Sequence, residues 1–167
     1  MAISKKIEAA INKQINHELM AAYTYLAISA WFEEQNLAGF GKWFLMQRTE
    51  ELEHAQRLFQ YLLDRGGRIA LDALPKPKAT FATALAAFKA SFELEKANTR
   101  TIHALYQVAK AEDDFATLSH LQWFLDEQVE EEKIMSESIA LLELAGKDSS
   151  ALLMLNEKFG SRGPKSE

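Results

Sequence analysis

The 167-residue sequence contains no cysteine. That removes disulfides, thiolate metal sites and cysteine nucleophiles together, so any metal bound by this chain must be held by oxygen and imidazole. Helix breakers are scarce. There are seven glycines, at 39, 41, 66, 67, 146, 160 and 163, and three prolines, at 75, 77 and 164. The stretches between them leave room for long helices and little for a sheet. No run approaches ~18 uninterrupted apolar residues, which excludes a membrane-spanning helix. No basic run occurs either: 19 basic against 24 acidic side chains leave a formal charge of -5, which points away from nucleic acid as a partner. Residues Met1 to Glu8 enter directly into amphipathic sequence without the apolar core of a signal peptide, so a cytoplasmic protein is expected.

What is present is an ordinary soluble composition, 48% hydrophobic and 26% charged, in a chain long enough to bury a good core as one domain over 1–167. Apolar residues recur at three- and four-residue spacing, which predicts an all-α bundle with helices over about 4–35, 38–65, 81–111, 115–145 and 149–159 and a disordered tail over 161–167. Ser4, Asp114 and Asp148 stand where N-caps are needed. The expected inward stripes are Ile7, Ile11, Ile15, Ala22, Tyr25 and Ser29 on the first helix and Phe40, Phe44, Gln47, Glu51, His54, Leu58 and Leu62 on the second. The third offers Leu85, Phe88, Phe92, Glu95, Thr99, Ile102 and Tyr106, and the fourth Leu118, Leu121, Leu125, Gln128, Met135, Ile139 and Leu142. The connection over 68–80 contains Pro75 and Pro77 and has no helical period. A helix of about 28 residues is ~42 Å long, and some 15 extended residues reach ~50 Å. The connection can therefore cross the whole bundle and leave the second and third helices parallel.

Each of the four long stripes is interrupted by polar residues: Glu18; Glu51 with His54; Glu95; and Gln128 with Glu131. Glu51 and His54 are three apart, close to one turn, and leave the same helix face. An isolated pair of this kind is a weak signal, and a lone core glutamate can instead pair with lysine. The level decides between these readings. Residues 18 and 54 are symmetric about the first turn at 36, and 95 and 131 about the second at 113, so all four helices raise carboxylates to one height. Ionised and unpaired they would repel, and two divalent cations would neutralise them. Oxygen ligation with one imidazole suits iron or manganese and would also accept zinc. Glu53 and Glu132 read as solvated, and His17, His103 and His120 as surface or packing residues. Tyr23, Tyr61 and Tyr106 read as core or interface. Tyr25, one turn beyond Ala22, is either plain core or a hydrogen-bond donor to a ligand and an electron donor. Trp31, Phe32, Trp43 and Phe44 make one end of the first hairpin apolar on several faces, which one bundle is not expected to bury, so contacts between copies are anticipated.

At these residues the chain closely resembles the prokaryotic non-haem ferritins, from about Ile7 to about Phe159. The most specific stretches are Asn16–Leu19, Glu50–Phe59 and Leu121–Lys133. The resemblance implies a four-helix bundle with a long crossover and a short fifth helix. It also implies a di-iron centre in which Glu18, Glu51 and His54 hold one iron, Glu51 bridges, and Glu95 and Glu131 hold the second with Gln128 beside it. A third iron position would draw on Glu50, Glu127 and Glu130, and Tyr25 and Trp123 match aromatic residues near the centre. Leu52 stands where the haem-binding relatives have their ligating methionine, and the second Glu-x-x-His is replaced by Gln128 and Glu131, so no haem is expected. The glutamate at 131 favours the bacterial type over animal catalytic chains. The implied function is iron storage and detoxification: a ferroxidase oxidising Fe(II) with dioxygen and keeping the product as mineral inside a homo-oligomeric shell of twenty-four subunits. The rival is a di-iron carboxylate oxygenase of a small organic substrate without storage, which the missing second histidine disfavours. A non-catalytic structural bundle is the third reading.

Overall fold

The chain is described by a computed structural model over residues 3–163. Helix starts follow from short polar side chains that accept the orphan N–H groups of a first turn. Ser4 accepts from Ile7 N, Thr83 from Ala86 N, Asp114 from Thr117 N, and Asp148 from Ser150 N and Ala151 N. Among the described residues the result is five helices and no strand: α1 (Lys5–Glu34), α2 (Ala38–Asp64), α3 (Ala84–Ala111), α4 (Phe115–Ala145) and α5 (Ser149–Gly160). Thr83 starts α3 three residues later than the apolar pattern suggests, which leaves Phe81 outside the helix. Three helix ends share one device. Asn36, Gly66 and Asp113 have φ of 60°, 71° and 51°, and the residue after each donates its N–H back into the last turn, Leu37 to Phe32, Gly67 to Leu62 and Asp114 to Ala109. This left-handed cap closes the helix tightly. At two of these ends an asparagine or aspartate serves, the non-glycine residues that best tolerate the conformation.

Side-chain pairs give the topology. Gln47 meets Glu131, Tyr61 meets Thr117 and Arg65 meets Asp114, so α2 and α4 run antiparallel. Lys6 meets Glu112, Gln14 meets Asn98 and Tyr25 meets Glu95, so α1 and α3 are antiparallel too. Both hairpins α1–α2 and α3–α4 are antiparallel by their short turns, which makes α2 and α3 parallel and joined by the crossover between them. This is the four-helix bundle with one long connection and a short fifth helix.

The crossover is seated by two asparagines one turn apart on α1. Asn12 donates to the carbonyl of Arg68 at 2.8 Å and accepts from Ala70 N at 2.8 Å. Asn16 donates to the carbonyl of Ala70 at 2.9 Å and accepts from Asp72 N at 2.8 Å. Each amide thus behaves like one residue of a neighbouring strand, and the extended backbone satisfies its polar groups without a sheet.

The interior divides in two. Tyr25, Phe32, Phe40, Trp43, Phe44, Phe88, Met135 and Phe159 belong to one apolar cluster. Ile7, Ile11, Ile15, Leu58, Leu62, Ile102, Leu121 and Phe124 belong to another. The first cluster corrects one expectation: Trp31, Phe32, Trp43 and Phe44 are all buried within the single chain. Phe159 of α5 packs on Phe40, Trp43 and Phe88, and Phe81 from the crossover packs edge-on against Trp31 at 5.4 Å between centroids. Two short segments cover what a bare bundle end would expose, so these four rings give no ground for contacts between copies.

α5 reaches that end through a close backbone approach. A Cβ on Gly39 would lie 1.8 Å from the carbonyl oxygen of Asn156, and one on Gly160 would lie 2.8 Å from Gly39 Cα. Asn156 Oδ1 also accepts from Phe40 N at 3.0 Å, capping α2, which has no cap of its own. Of the segment 161–167 taken as a tail, residues 164–167 lie outside the described residues. Arg162 turns back onto α2, where it reaches Gln47 and Glu50.

The asparagine clamp generates a stability test. Asn12→Ala leaves backbone groups of the crossover without partners and should lower stability by about 1–3 kcal/mol. Asn16→Ala should cost less, because the bond to Ala70 there is exposed. Reversible chemical denaturation of both variants checks this, and wild-type stability for Asn12→Ala would show that the crossover is held by something else.

Candidate metal centre

Between the two apolar clusters lies a polar layer supplied by all four long helices. On α1 it falls between Ile15 and Tyr25, on α2 between Phe44 and Leu58, on α3 between Phe88 and Ile102, and on α4 between Phe124 and Met135. Glu18, Glu51, Glu95, Gln128 and Glu131 are almost completely buried there, and His54 nearly so. The common level read from the spacing is therefore present in the fold.

One group has the geometry of a cation site. Glu18, Glu51 and His54 each offer a ligand atom, and these atoms lie within 4.8 Å of one another. His54 Nδ1 lies 3.6 Å from Glu51 Oε2. Both oxygens of Glu51 and Nδ1 of His54 are buried without a hydrogen-bond partner. Buried carboxylate oxygens are rarely left so, because the loss of water is costly unless a proton or a cation replaces it. The donor set, oxygen with one imidazole, fits a first-row divalent metal.

The rest of the layer is tied together by amides. Gln14 Nε2 donates to Glu18 Oε1 at 2.7 Å and to Asn98 Oδ1 at 2.6 Å, and Asn98 Nδ2 donates to Glu18 Oε2 at 3.0 Å. Gln128 Nε2 sits 3.3 Å from Glu95 Oε2 and 3.2 Å from Thr99 Oγ1. Gln47 Nε2 donates to Glu131 Oε2 at 2.9 Å. The Tyr25 hydroxyl donates to Glu95 Oε1. Gln14 and Asn98 escaped the sequence reading. Both are neutral amides that resemble surface residues, and the only signal was Gln14 standing one turn before Glu18 on the same face.

Electrostatics follow from burial. Glu18 is held well above the usual carboxylate range by desolvation and then by the charge of Glu51. Glu51 is raised by desolvation and then by Glu95. Glu95 is pushed up to about 7 by desolvation and then by the charge of Glu131, against the hydrogen bonds from Tyr25 and Gln128. Tyr25 is raised by burial and by the carboxylate of Glu95, so its hydroxyl keeps its proton and donates. Several groups raised together by one another mark a place that lacks positive charge.

The outer candidates are spread more widely. Glu50 is buried and paired with Arg162, Glu127 is half-buried with Oε2 3.9 Å from His54 Nε2, and Glu130 is exposed. Trp123 meets the His54 ring edge-on at 5.3 Å and stacks under Arg57. Glu53 is exposed, whereas Glu132 is half-buried and accepts from Thr99 Oγ1 at 2.6 Å. His103 is exposed, His17 half-buried, and His120 stacks on Tyr61 at 4.0 Å, all three apart from the polar layer. Tyr23 is exposed, and Tyr61 and Tyr106 are half-buried.

Comparison with known proteins agrees with the bundle. The ferritin family, described as a ferritin-like domain, matches residues 8–145. The bacterial non-heme ferritin of Staphylococcus aureus is 39% identical over 160 residues, covering 96% of each chain. That of Staphylococcus epidermidis is 36% identical over the same share. An open-pore ferritin from the hyperthermophilic archaeon Archaeoglobus fulgidus superposes with a TM-score of 0.96 at 41% identity, covering 97% of this chain and all of the other. An engineered closed form of that ferritin gives 0.96 at 40% identity over 98% of this chain. With a matched domain over most of its length and relatives alike from end to end, this chain belongs to the ferritin family.

Proposed function

We propose that this protein stores iron, and that it oxidises Fe(II) with dioxygen at the buried layer before storage. One observation carries the reading most directly: the two unpartnered oxygens of Glu51 beside unpartnered His54 Nδ1, in a layer where burial already strains several carboxylates. Glu18, Glu51 and His54 take the first Fe(II), with Glu51 placed to bridge. Glu95 and Glu131 take the second. Gln128, which hydrogen-bonds Glu95 and Thr99, lies at the second position as a neutral partner or weak ligand.

Iron is the substrate here. Each Fe(II) gives up one electron, and one dioxygen accepts the two. Carboxylates favour the higher charge of the Fe(III) product, because they stabilise a trivalent ion more than a divalent one in a water-poor interior. Tyr25, protonated and donating to Glu95, holds that carboxylate in place. Glu127 lies 3.9 Å from His54 Nε2, on the side of the ring away from Nδ1. Glu50, Glu127 and Glu130 are the candidates for a third iron position. Leu52, half-buried, offers no haem ligand, and haem has no part in the proposal.

Storage requires a cavity, which a single bundle does not enclose, so the proposal includes a closed shell of twenty-four copies. Support comes from exposed apolar side chains outside both clusters, among them Leu71 and Leu74 in the crossover, Leu153 and Met154 on α5, and Phe115 and Leu144 at the ends of α4. No helix is long and apolar enough to cross a membrane among the described residues, which fits a cytoplasmic store.

Aerobic addition of Fe(II) followed by size exclusion tests the whole reading. A soluble iron-loaded particle of several hundred kilodaltons is expected. A small species that oxidises no iron would overturn it, and a small species that oxidises an organic substrate would favour the oxygenase reading.

The double variant Glu51→Ala with His54→Ala should assemble normally but oxidise Fe(II) more than ~100-fold more slowly, since even the outer partners of metal ligands are worth roughly 10–100-fold. Loss of assembly would make both residues structural instead.

The raised carboxyls also set a pH dependence. Glu95 has a folded pKa of about 7 against an ordinary 4.5, so its contribution to stability is complete below 4.5 and is lost as pH rises through 7. Glu18 and Glu51 act in the same direction. The lowered carboxyls Glu8, Glu112 and Asp114 act oppositely, but below 4.5, and the imidazoles of His17 and His120, lowered by burial, act oppositely up to 6.5, where the three raised carboxyls outnumber them. Metal-free protein should therefore melt at a lower temperature at pH 8 than at pH 6, and redox-inert Zn(II) should remove the decline. Scanning calorimetry with and without Zn(II) checks it; an identical decline in Glu95→Gln would disprove the assignment.

A further inference from the structure

Among the described residues, Arg162 is a cation seated against the polar layer from outside the four long helices. It follows α5, and its guanidinium bridges two residues of α2 one turn apart. Nη1 donates to Gln47 Oε1 at 2.5 Å and Nη2 to Glu50 Oε1 at 2.9 Å. Its stem and plane lie over Trp43, with Cζ 5.5 Å from the ring centroid. Both partners of the ion pair are largely shielded, with side-chain exposures of 19% for Arg162 and 11% for Glu50. A shielded pair with such geometry is stronger than an exposed one.

The contact to Gln47 reaches the centre. Arginine has only donors, so Gln47 must present its carbonyl oxygen to Arg162 and therefore its NH2 to the other side. There it donates to Glu131 Oε2 at 2.9 Å. A flipped amide would set donor against donor and acceptor against carboxylate. Arg162 thus decides which way Gln47 faces, and through it Glu131.

We propose that Arg162 is a tethered counter-ion for Glu50, which an incoming metal cation must displace to occupy the outer carboxylates. The inference rests on the reading of the inner layer as the iron centre. Before arrival, the guanidinium neutralises Glu50 and holds Glu131 through Gln47. When a divalent ion takes Glu50, the guanidinium 2.9 Å from that carboxylate is left beside a doubly positive ion, and the repulsion drives Arg162 away together with the residues that follow α5. Release also frees Gln47, so occupation of the outer position loosens the hold on Glu131. In that sense Arg162 is a positioning residue, and its effect is on the affinity of the outer position rather than on the oxidation itself.

Calorimetric titration of redox-inert Zn(II) into the assembled, metal-free full chain tests this. Four proteins are compared: wild type, Arg162→Met, Arg162→Lys, and Arg162→Met combined with Glu50→Gln. Methionine keeps an apolar stem against Trp43 and removes the charge. Lysine keeps the charge. Tight inner binding is expected in all four. A weaker additional position should tighten roughly tenfold in Arg162→Met, stay as in wild type in Arg162→Lys, and vanish in the double variant. Equal affinity of the additional position in wild type and Arg162→Met, its persistence without Glu50, or its absence throughout would overturn the proposal while leaving the inner centre intact. Absence of the inner binding in wild type would instead overturn the iron-centre reading. Hydrogen exchange gives a readout that needs no variant: in wild type, Zn(II) beyond the inner stoichiometry should speed exchange over 158–163, and unchanged exchange there counts against displacement.

Discussion

The structure turns on the cost of placing like charges where water cannot reach them. Glu18, Glu51, Glu95 and Glu131 stand nearly fully buried on four different helices at one level. Among the described hydrogen bonds and ion pairs, the cation that reaches the layer is Arg162, which meets Gln47 at its edge. The layer's hydrogen-bond donors are amides and one phenol, from Gln14, Gln47, Asn98, Gln128 and Tyr25. Neutral donors can orient a carboxylate, yet they leave its charge in place. Buried carboxylates oriented by neutral donors, with both oxygens of Glu51 and Nδ1 of His54 still lacking a hydrogen-bond partner, make the condition under which a cation binds tightly and with defined geometry.

The same layer partitions the core. The aromatic half around Phe40, Phe44 and Phe88 and the aliphatic half around Ile11, Leu58 and Ile102 do not merge, because polar side chains from all four helices lie between them. Each half closes a different end of the bundle. α5 and Phe81 finish the aromatic end, whereas the crossover lies along α1 beside the aliphatic end. A bundle with a continuous core would gain apolar contact there and lose the polar layer. What keeps the helices in register around a strained layer is the packing on both sides of it.

Much of this was legible in the chain. The interruptions at Glu18, Glu51, His54, Glu95, Gln128 and Glu131 stood out because a carboxylate within an apolar stripe has few bland explanations, and the turns at 36 and 113 gave their heights. The crossover followed from Pro75 and Pro77. α3 was harder. Its inward face runs through Ala84, Ala87, Phe88, Ser91, Glu95, Asn98, Ile102 and Leu105, while Leu85, Phe92, Thr99 and Tyr106 flank it. Alanine and serine carry little hydrophobic weight, so the larger flanking residues pulled the expected stripe sideways and hid Asn98. The burial of Trp31 and Trp43 was missed for a different reason: periodicity describes one helix at a time, and their cover comes from Phe81 and Phe159, distant in sequence. Arg162 was hidden in the same way, since nothing local to a C-terminal arginine announces a partner on α2.

Asn12 and Asn16 read the crossover only through its main chain. No side chain between residues 68 and 72 takes part in that recognition, and Arg68, Ala70 and Asp72 contribute a carbonyl, both backbone groups and an N–H respectively. The identity of those residues is thus left open to drift, with proline alone barred at 70 and 72, where the asparagines need the N–H, and at 68, whose N–H donates to Glu8 Oε2. The bundle can change the surface that this segment presents without disturbing the path the segment follows, so evolution is free to rewrite that face while the two asparagines keep its course.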